Sequence, residues 1–415
     1  MLYQGLEFDA ESQCPKRNNK NDKMRNLAKF IIICSVFISC HKKESVVRAD
    51  YRYIAPVYGD IRLNPTEDTL CFILAEHTYK RIESLNLFKN RDSTYMSFYD
   101  RGSKSISMYN FYSGRLIKRV PLYTWIRSSK LDKVSVFVKN FDSIYITTMT
   151  TLFLVDSTGK VKRGIKYSED LGRRPYTTTT SPMLFRGNMV YIAVKPAIND
   201  KSLDAQRRWR TLYEFDMNNQ TKTPYYSLPD IYQNGLLGYA FVDYGYCMNN
   251  RGNFVFSFAA DPNIYETDLA NYHVAYFGRS KFQKGEIETV SKEQLQKEDG
   301  YKVYSLRDSY GEILFDPYRK RYLRLAKQKM SEADFQSKSG RKKRSIIVFD
   351  ETFKIIGESG INDDFSFNFL LFLDDGAIYT MAKSRDGHEL RFVRLLYTDD
   401  KSAKMTLTQY QRENK

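Results

Sequence analysis

The chain has few of the residues from which catalytic sites are commonly built. Its 415 residues include four histidines (His41, His77, His273 and His388), and no two of them have the spacing of a zinc site. Neither a glycine-rich phosphate-binding loop nor a Gly-x-Ser-x-Gly nucleophile turn is present. These absences argue against histidine-zinc enzymes, P-loop nucleotide hydrolases and nucleophile-turn hydrolases.

Two pairs of adjacent acids are the sequence features closest to a metal site. Asp363–Asp364 and Asp374–Asp375 are of the type used in calcium binding or glycoside hydrolysis. Both pairs flank turns, where aspartate side chains commonly cap the backbone. We therefore expect turn residues here, and predict no metal ligand and no cofactor.

No apolar run has the length of a membrane-spanning helix, about 20 residues. The segment Phe30–Ile38 is about half that long, within the ~7–15 residues of a signal-peptide core, and charged or polar residues bracket it. A basic segment precedes it, and Ser39 and Cys40 follow it. This is the order of a bacterial lipoprotein signal, although Phe37 occupies the position where leucine is usual. We predict cleavage before Cys40 and lipidation of Cys40. An ordinary cleaved secretory signal is the alternative.

The N-terminal segment up to Cys40 also predicts the domain boundaries. Residues 1–23 are polar and include four acids, whereas signal peptides begin with a basic region. We expect translation to start at Met24, which makes residues 1–23 an extension outside the protein and 24–39 the signal peptide. Residues 40–50 are then a tether, 51–400 the folded domain and 401–415 a polar tail. The predicted location is the bacterial cell envelope, in particular the outer membrane, with the membrane bound through the N-terminal lipid.

The net charge of +16 is spread along the whole chain. Nucleic-acid binding usually concentrates basic residues on one face or arm, and an exported protein meets little nucleic acid. We therefore predict no nucleic-acid partner. The cluster Lys338, Arg341, Lys342, Lys343 and Arg344 is expected to be a solvated loop, with an acidic partner as the alternative.

Tryptophan is rare, but aromatic residues make up 15% of the chain and favour sheet structure. A strand that ends in Asp or Asn, followed by a polar turn and a second strand, recurs at Asn110, Asp156, Asp216, Asp268 and Asp350. Such acids suit hairpin turns because their side chains cap the turn backbone. Each unit has about four short strands over ~45–65 residues, a period typical of a β-propeller.

We predict an all-β fold, a β-propeller of four-stranded antiparallel blades. Six blades is the preferred count and seven remains open, because the fifth unit is long. The blades are placed near 67–122, 131–167, 180–228, 234–280, 300–360 and 365–400. The N-terminal strand, near Tyr51–Val57, is expected to close the last blade.

The blade assignment bears on the cysteines. Removal of Cys14, Cys34 and the lipidated Cys40 leaves Cys71 and Cys247 in the domain. They are expected in the first and fourth units, on opposite sides of the ring, and a disulfide needs α-carbons within about 7 Å. Two free thiols are predicted.

Two C-terminal stretches, Ile313–Arg324 and Ser345–Glu358, together with the lipoprotein signal and the six units, resemble a bacterial lipoprotein family. This family is the domain of unknown function number 4221. The resemblance implies a six-bladed propeller in the cell envelope, and it supplies no reaction or catalytic residue.

The predicted function is that of a lipid-anchored, monomeric propeller that binds a protein or glycan without catalysis. The loop Arg173–Thr180 precedes a first strand, where propellers line their channel mouth, so Arg174 and Tyr176 are the candidate ligand-binding residues. The alternative is a hydrolase or lactonase with a divalent cation in the central channel.

Overall fold

The computed structural model describes residues 48–76, 78, 82–124, 126, 131, 134–167, 174–195, 202–238, 240–337, 340–361, 366–382 and 387–399. The predicted signal peptide and Cys40 lie outside this part of the chain. Within it, no helix combines the length and the apolar character needed to cross a bilayer.

The described chain forms a six-bladed β-propeller of antiparallel, four-stranded blades. In blade three the inner strand is split into two short strands, and the sheet of blade four has a fifth strand at its outer edge. The chain enters through β1 (Asp50–Arg52) and β2 (Leu63–Ile73). Blades one and two consist of β3 (Ile82–Asn90), β4 (Ser93–Asp100), β5 (Ser105–Asn110), β6 (Leu116–Pro121), β7 (Ser135–Asn140), β8 (Ser143–Thr147), β9 (Thr151–Val155) and β10 (Val161–Lys166).

The remaining blades follow in chain order. Blade three consists of β11 (Arg174–Pro175), β12 (Leu184–Arg186), β13 (Met189–Lys195), β14 (Arg210–Asp216) and β15 (Thr221–Ser227). Blade four consists of β16 (Tyr244–Met248), β17 (Phe254–Phe258), β18 (Ile264–Thr267) and β19 (His273–Tyr276), and blade five of β20 (Ser309–Asp316), β21 (Arg321–Lys327), β22 (Arg344–Phe349) and β23 (Ile355–Gly360). Blade six contains β24 (Leu371–Phe372), β25 (Ile378–Ala382) and β26 (Glu389–Tyr397).

Short helices lie between these strands. They are α1 (Leu203–Arg207), α2 (Lys292–Lys297), α3 (Gly300–Ser305), α4 (Glu332–Gln336) and two 3₁₀ turns at Asp230–Tyr232 and Phe367–Phe369.

The recurrent Asp and Asn residues cap the hairpins between the third and fourth strands, as predicted. Asp268 accepts hydrogen bonds from three successive backbone amides at 2.8–3.0 Å. Asp156, Asp216 and Asp350 make the same kind of contact. The amides of Asn219 and Asn218 hold the pKa of Asp216 below its usual range. These turns therefore fix the four-stranded unit that the sequence repeats.

Ring closure is made by β2, which pairs antiparallel with β26 from Leu63–Tyr397 to Ile73–Glu389. The prediction that the N-terminal strand closes the last blade is confirmed, but the closing segment is β2 rather than Tyr51–Val57. Blade one accordingly begins at Ile82, not near residue 67.

The segment expected to close the ring has a different position. We call residues 50–62 the strap. Its strand β1 pairs in parallel with β19, the outer strand of blade four. Farther along, Gly59 forms a parallel bridge with Gly357 in β23 of blade five. The strap thus runs along the outer edges of blades four and five before β2 begins.

The two domain cysteines are free, as predicted. Cys71, however, lies in β2 of blade six rather than in the first blade, so the two cysteines are not on opposite sides of the ring. Burial of Leu70 and Phe72 leaves Cys71 exposed, since successive side chains of a strand alternate between faces. Cys247 is buried, and burial raises the pKa of its thiol well above the usual range.

Arg324, in β21, is fully buried and joins blade five to blade four. Its guanidinium donates to the Ser257 hydroxyl at 2.8 Å and to the backbone carbonyls of Pro262 and Asp261 at 2.6 Å each. Two further carbonyls accept at 3.1 and 3.3 Å, and the ring of Tyr310 lies 3.8 Å away. Burial lowers its pKa to about 10, so the group stays cationic at neutral pH.

We predict that Arg324→Met lowers the free energy of unfolding by about 3–5 kcal/mol, because four buried carbonyls lose their donor. The measurement is urea denaturation followed by circular dichroism. Arg341→Met, at an exposed position, is the matched control and should change stability by less than about 0.5 kcal/mol. Equal effects of the two substitutions would contradict the role assigned to Arg324.

Candidate binding site

The inner strands of all blades run in the same direction, which gives the propeller two distinct ends. The connections between blades, and those between the second and third strands of a blade, therefore lie at one end. We call this end the cap face. It contains the predicted loop Arg173–Thr180, whose described part starts at Arg174.

The cap face carries helices at blades three, four and five. Leu236, Leu295 and Val303 form a small buried cluster there, with Leu203 and Val290 packed against it. These residues come from α1, α2, α3 and the connections on either side of blade four, so we call this substructure the helical cap. Its core is separate from the cores between the blades.

The helices of the cap are only five or six residues long, below the length at which helices are stable alone. Each begins with a side-chain cap. Ser291 accepts from the Gln294 amide at 3.0 Å, Asp299 from Tyr301 at 3.0 Å and Ser331 from Asp334 at 3.1 Å. Capping and burial of the cluster together hold the helices in place.

Two cationic side chains attach the cap to the propeller. Lys342 donates to the carbonyls of Tyr304 at 3.1 Å and Arg307 at 2.6 Å, and to the Ser309 hydroxyl at 2.8 Å. Arg307 donates to the Leu237 carbonyl at 2.7 Å. The basic cluster around Lys342, which was expected to be a solvated loop, is therefore exposed only in part. Lys342 is a part-buried structural residue, Arg341 and Lys343 are exposed, and Lys338 lies outside the described residues.

An aromatic pair, with an exposed tyrosine and a half-buried phenylalanine, lies on the cap. The rings of Tyr301 in α3 and Phe335 in α4 have centroids 6.0 Å apart, and Tyr301 is 56% exposed. Lys302 forms an ion pair with Glu332 at 3.9 Å beside them. Lys342 contacts α3, and its sequence neighbours Arg341 and Lys343 are exposed. We call Tyr301, Phe335, Lys302, Arg341 and Lys343 the cap patch.

Sequence reasoning did not find the cap patch. The irregular stretch at Ser331–Arg344 was recognised, but helices of this length give too few periodic positions to be identified. Usable signals were the N-cap residues Ser291, Asp299 and Ser331, the last followed by Asp334 at the spacing of a capping box.

The predicted ligand loop reaches the central channel. The inner strand of blade three is split, since β11 and β12 both pair with β13 and the residues between them leave the sheet. There the Thr177 amide donates to the Ser135 hydroxyl of blade two at 3.0 Å, and the Thr177 carbonyl accepts from the Ser84 hydroxyl of blade one at 3.3 Å. This segment therefore lies across the channel at the cap face.

The two candidate residues are at the start of this segment. Arg174 belongs to β11 and pairs with Lys195, and the half-buried Tyr176 donates its amide to the Ala193 carbonyl at 2.9 Å. Arg174 thus belongs to the inner strand itself rather than to a loop ahead of it. Ligand binding by Arg174 and Tyr176 stays a prediction.

The acidic pairs do not form a site among the described residues. Asp375 caps its turn by accepting from the Ala377 amide at 2.9 Å, and Asp374 pairs with Lys89. Asp363 and Asp364 lie outside the described residues. In the part of the chain that is described, no group of three or more His, Cys, Asp or Glu side chains is arranged to hold a metal ion.

A cavity of about 240 Å³ lies between blades five and six. Its lining is mainly apolar and includes Leu63, Ile346, Phe367, Leu370 and Leu395. Its polar lining residues are Arg62, Asn64, Ser359 and Thr380, and no carboxylate or histidine is among the residues that line it.

The geometry described so far can be compared with known proteins. A family model described as a domain of unknown function (DUF4221) matches residues 60–360, from just before β2 to the end of β23. The chain belongs to this family. The resemblance inferred from the two C-terminal stretches is therefore confirmed. No curated protein matches the chain in sequence.

Solved structures share the fold of the chain. A crystal structure of a DUF4221 member from Bacteroides vulgatus has a TM-score of 0.66 and 19% identity, covering 82% of this chain and 99% of that chain. A protein from Bacteroides fragilis has a TM-score of 0.53 and 11% identity, covering 84% of this chain and 100% of that chain. At these identities the similarity concerns the fold.

The two stretches that carry the DUF4221 resemblance each end on a buried charge. The first ends at Arg324, and the second ends at Glu358, which is 1% exposed. Glu358 accepts from the hydroxyls of Ser280 at 2.5 Å and Ser345 at 2.6 Å, and from the Lys281 amide at 2.6 Å. Both residues tie blade five to the connection that follows blade four. Their contacts are structural.

Lys342 predicts a pH dependence of stability. Burial, reinforced by Lys327, lowers its pKa from 10.5 to about 7 in the folded chain. The unfolded chain therefore binds more protons between pH 7 and 10.5, so this residue makes the free energy of unfolding rise across that interval. We expect the rise between pH 7 and 9.5 to be about 1–3 kcal/mol larger in the natural chain than in Lys342→Met.

The measurement is urea denaturation at both pH values. Lys343→Met, the exposed neighbour, is the control and should keep the natural pH dependence. A Lys342→Met protein with the same pH dependence as the natural chain would refute the prediction.

Proposed function

We propose that this chain is a lipid-anchored envelope propeller that binds a partner through its cap face and performs no catalysis. The observation that carries the proposal is the cap patch. An exposed tyrosine, its aromatic neighbour and adjacent basic residues lie there on helices that are fixed to the propeller by Lys342 and Arg307.

The composition of the cap patch favours a protein partner. Tyrosine and arginine are enriched in the cores of protein interfaces, and a few such residues supply most of the binding energy. Tyr301 presents a large, rigid contact surface with a polar end. The ion pair at Lys302–Glu332 would form part of a polar rim. The alternative partner is a glycan, and the experiment below distinguishes the two.

The anchor is proposed from the leader. The order of basic lead-in, short apolar core, Ser39 and Cys40 supports lipidation of Cys40 and an outer-membrane location. A hydrolase or lactonase with a channel cation has less support, because the described residues bring no group of carboxylates together.

The partner test uses a photo-crosslinking amino acid in place of Tyr301 in the full chain, irradiated in native envelopes. The matched control carries the same amino acid at Tyr318, which is 59% exposed but lies on the hairpin between β20 and β21, away from the cap face. We expect a protein adduct at position 301 that is absent at 318.

The contact should also depend on the patch. Phe335→Ser is expected to reduce the position-301 adduct about tenfold, the effect of losing one interface anchor. Absence of an adduct at 301, with cation-dependent ester hydrolysis by the purified chain, would favour the hydrolase. Labelling of a glycan at 301 would keep the binding role and change the partner class.

The anchor has its own test. Cys40→Ser should abolish incorporation of radiolabelled palmitate and move the chain from the membrane to the soluble fraction, because no sulfur remains to carry the lipid. Cys34→Ser, within the leader core, is the control and should be labelled normally. Labelling of the Cys40→Ser chain would reject lipidation at this cysteine.

A further inference from the structure

The strap presents apolar side chains to solvent next to the predicted tether. Tyr51, Tyr53 and Val57 are 56%, 62% and 53% exposed. Tyr51 and Tyr53 are two residues apart in an extended segment, so they lie on the same face. Phe282, in the connection after blade four, is 45% exposed. We call Tyr51, Tyr53, Val57 and Phe282 the strap patch.

The strap patch is held in place by the propeller beneath it. The Val57 amide donates to the Ile355 carbonyl at 2.8 Å, and the Tyr58 hydroxyl donates to the Arg279 carbonyl at 2.7 Å. The ring of Tyr53 packs edge-on against Phe277 with centroids 5.4 Å apart. These contacts join the strap to the connection that carries Phe282. The exposed rings are thus presented by a fixed segment.

Exposed basic residues are close in sequence to the members of the patch. Arg48, Arg52, Lys281 and Lys284 are all exposed. Their positive charges are partly balanced by Asp50 and by Glu286, which pairs with Arg279. The surface therefore combines tyrosines with a small excess of positive charge.

We propose that the strap patch docks on the headgroup region of the membrane in which the chain is anchored. This inference rests on the lipidation of Cys40 proposed above. Only about ten residues separate Cys40 from β1, a reach of at most ~36 Å, so the strap is the part of the described chain kept nearest the lipid.

The chemistry of the patch fits this surface. Tyrosine is favoured at the membrane–water interface, where its ring is in the apolar layer and its hydroxyl is hydrated. Exposed Lys and Arg are attracted to anionic headgroups. The tether supplies the high local concentration that lets a small patch bind, since a second site on an anchored molecule binds intramolecularly.

Docking places the outer edges of blades four and five against the bilayer. Phe282 belongs to the connection between these two blades, which is part of the cap face, so docking would also bring that part of the cap face to the bilayer.

The experiment uses the lipidated full chain in vesicles of phosphatidylethanolamine and phosphatidylglycerol, with or without brominated acyl chains that quench tryptophan. Tyr53→Trp reports the strap patch, and Tyr318→Trp, of similar exposure, is the control. The two native tryptophans contribute the same background to both variants. We expect brominated lipid to reduce the added fluorescence at position 53 at least about twofold and to leave that at 318 unchanged. Adding Tyr51→Ser to Tyr53→Trp should weaken the quenching.

Flotation of the same vesicles separates the two proposals. If the chain floats with its lipid but position 53 is not quenched, the anchor stands and docking is rejected. If the chain carries no lipid and does not float, the anchor is rejected and docking falls with it. A position-53 adduct with a protein or a second copy, in place of lipid quenching, would also reject membrane docking.

Discussion

The pairing of β2 with β26 is the interaction on which the rest of the propeller depends. Blades bury their apolar faces only against neighbouring blades, so the first and last blades have uncovered faces until the ring closes. Phe72 of β2 shows how closure is stabilised, because its ring packs against Tyr109 and Phe111 of blade one and Phe392 of blade six, with centroids 5.6–5.8 Å apart. Closure joins segments more than three hundred residues apart. Such non-local pairing makes slow folding the expectation for this topology.

The repeating part of the fold could be predicted because its signals are local. An Asp that caps a turn two to four residues ahead is visible in a short window, and the hairpins at Asp156, Asp268 and Asp350 formed where the sequence indicated. The identity of the closing strand, by contrast, does not depend on a local signal. Residues 51–57 and 63–73 both have the pattern of an extended segment, and only pairing with β26 distinguishes them. Burial of Leu70 and Phe72 stabilises β2 in this position.

The candidate site also has one part that could be predicted from the sequence and one part that could not. The loop at Arg174 and Tyr176 was placed at the channel mouth from its position before a first strand, and its segment does lie across the channel through Thr177. The cap patch depends on contacts between helices that are individually too short to recognise. Lys342 illustrates the difficulty, since its sequence context is that of an exposed basic loop, whereas three oxygen acceptors draw its ammonium group inward.

The strap has a mechanical consequence. Tension on the chain ahead of Asp50 reaches β1 first, whose three residues pair with β19. The Gly59–Gly357 bridge comes next, and β2, the strand that holds the ring closed, is loaded last. Together with the hydrogen bonds of Val57 and Tyr58, these attachments carry a pull on the chain before any force acts on the closure. The order of attachments along the chain therefore protects the closing strand from a pull at the N-terminal side of the domain.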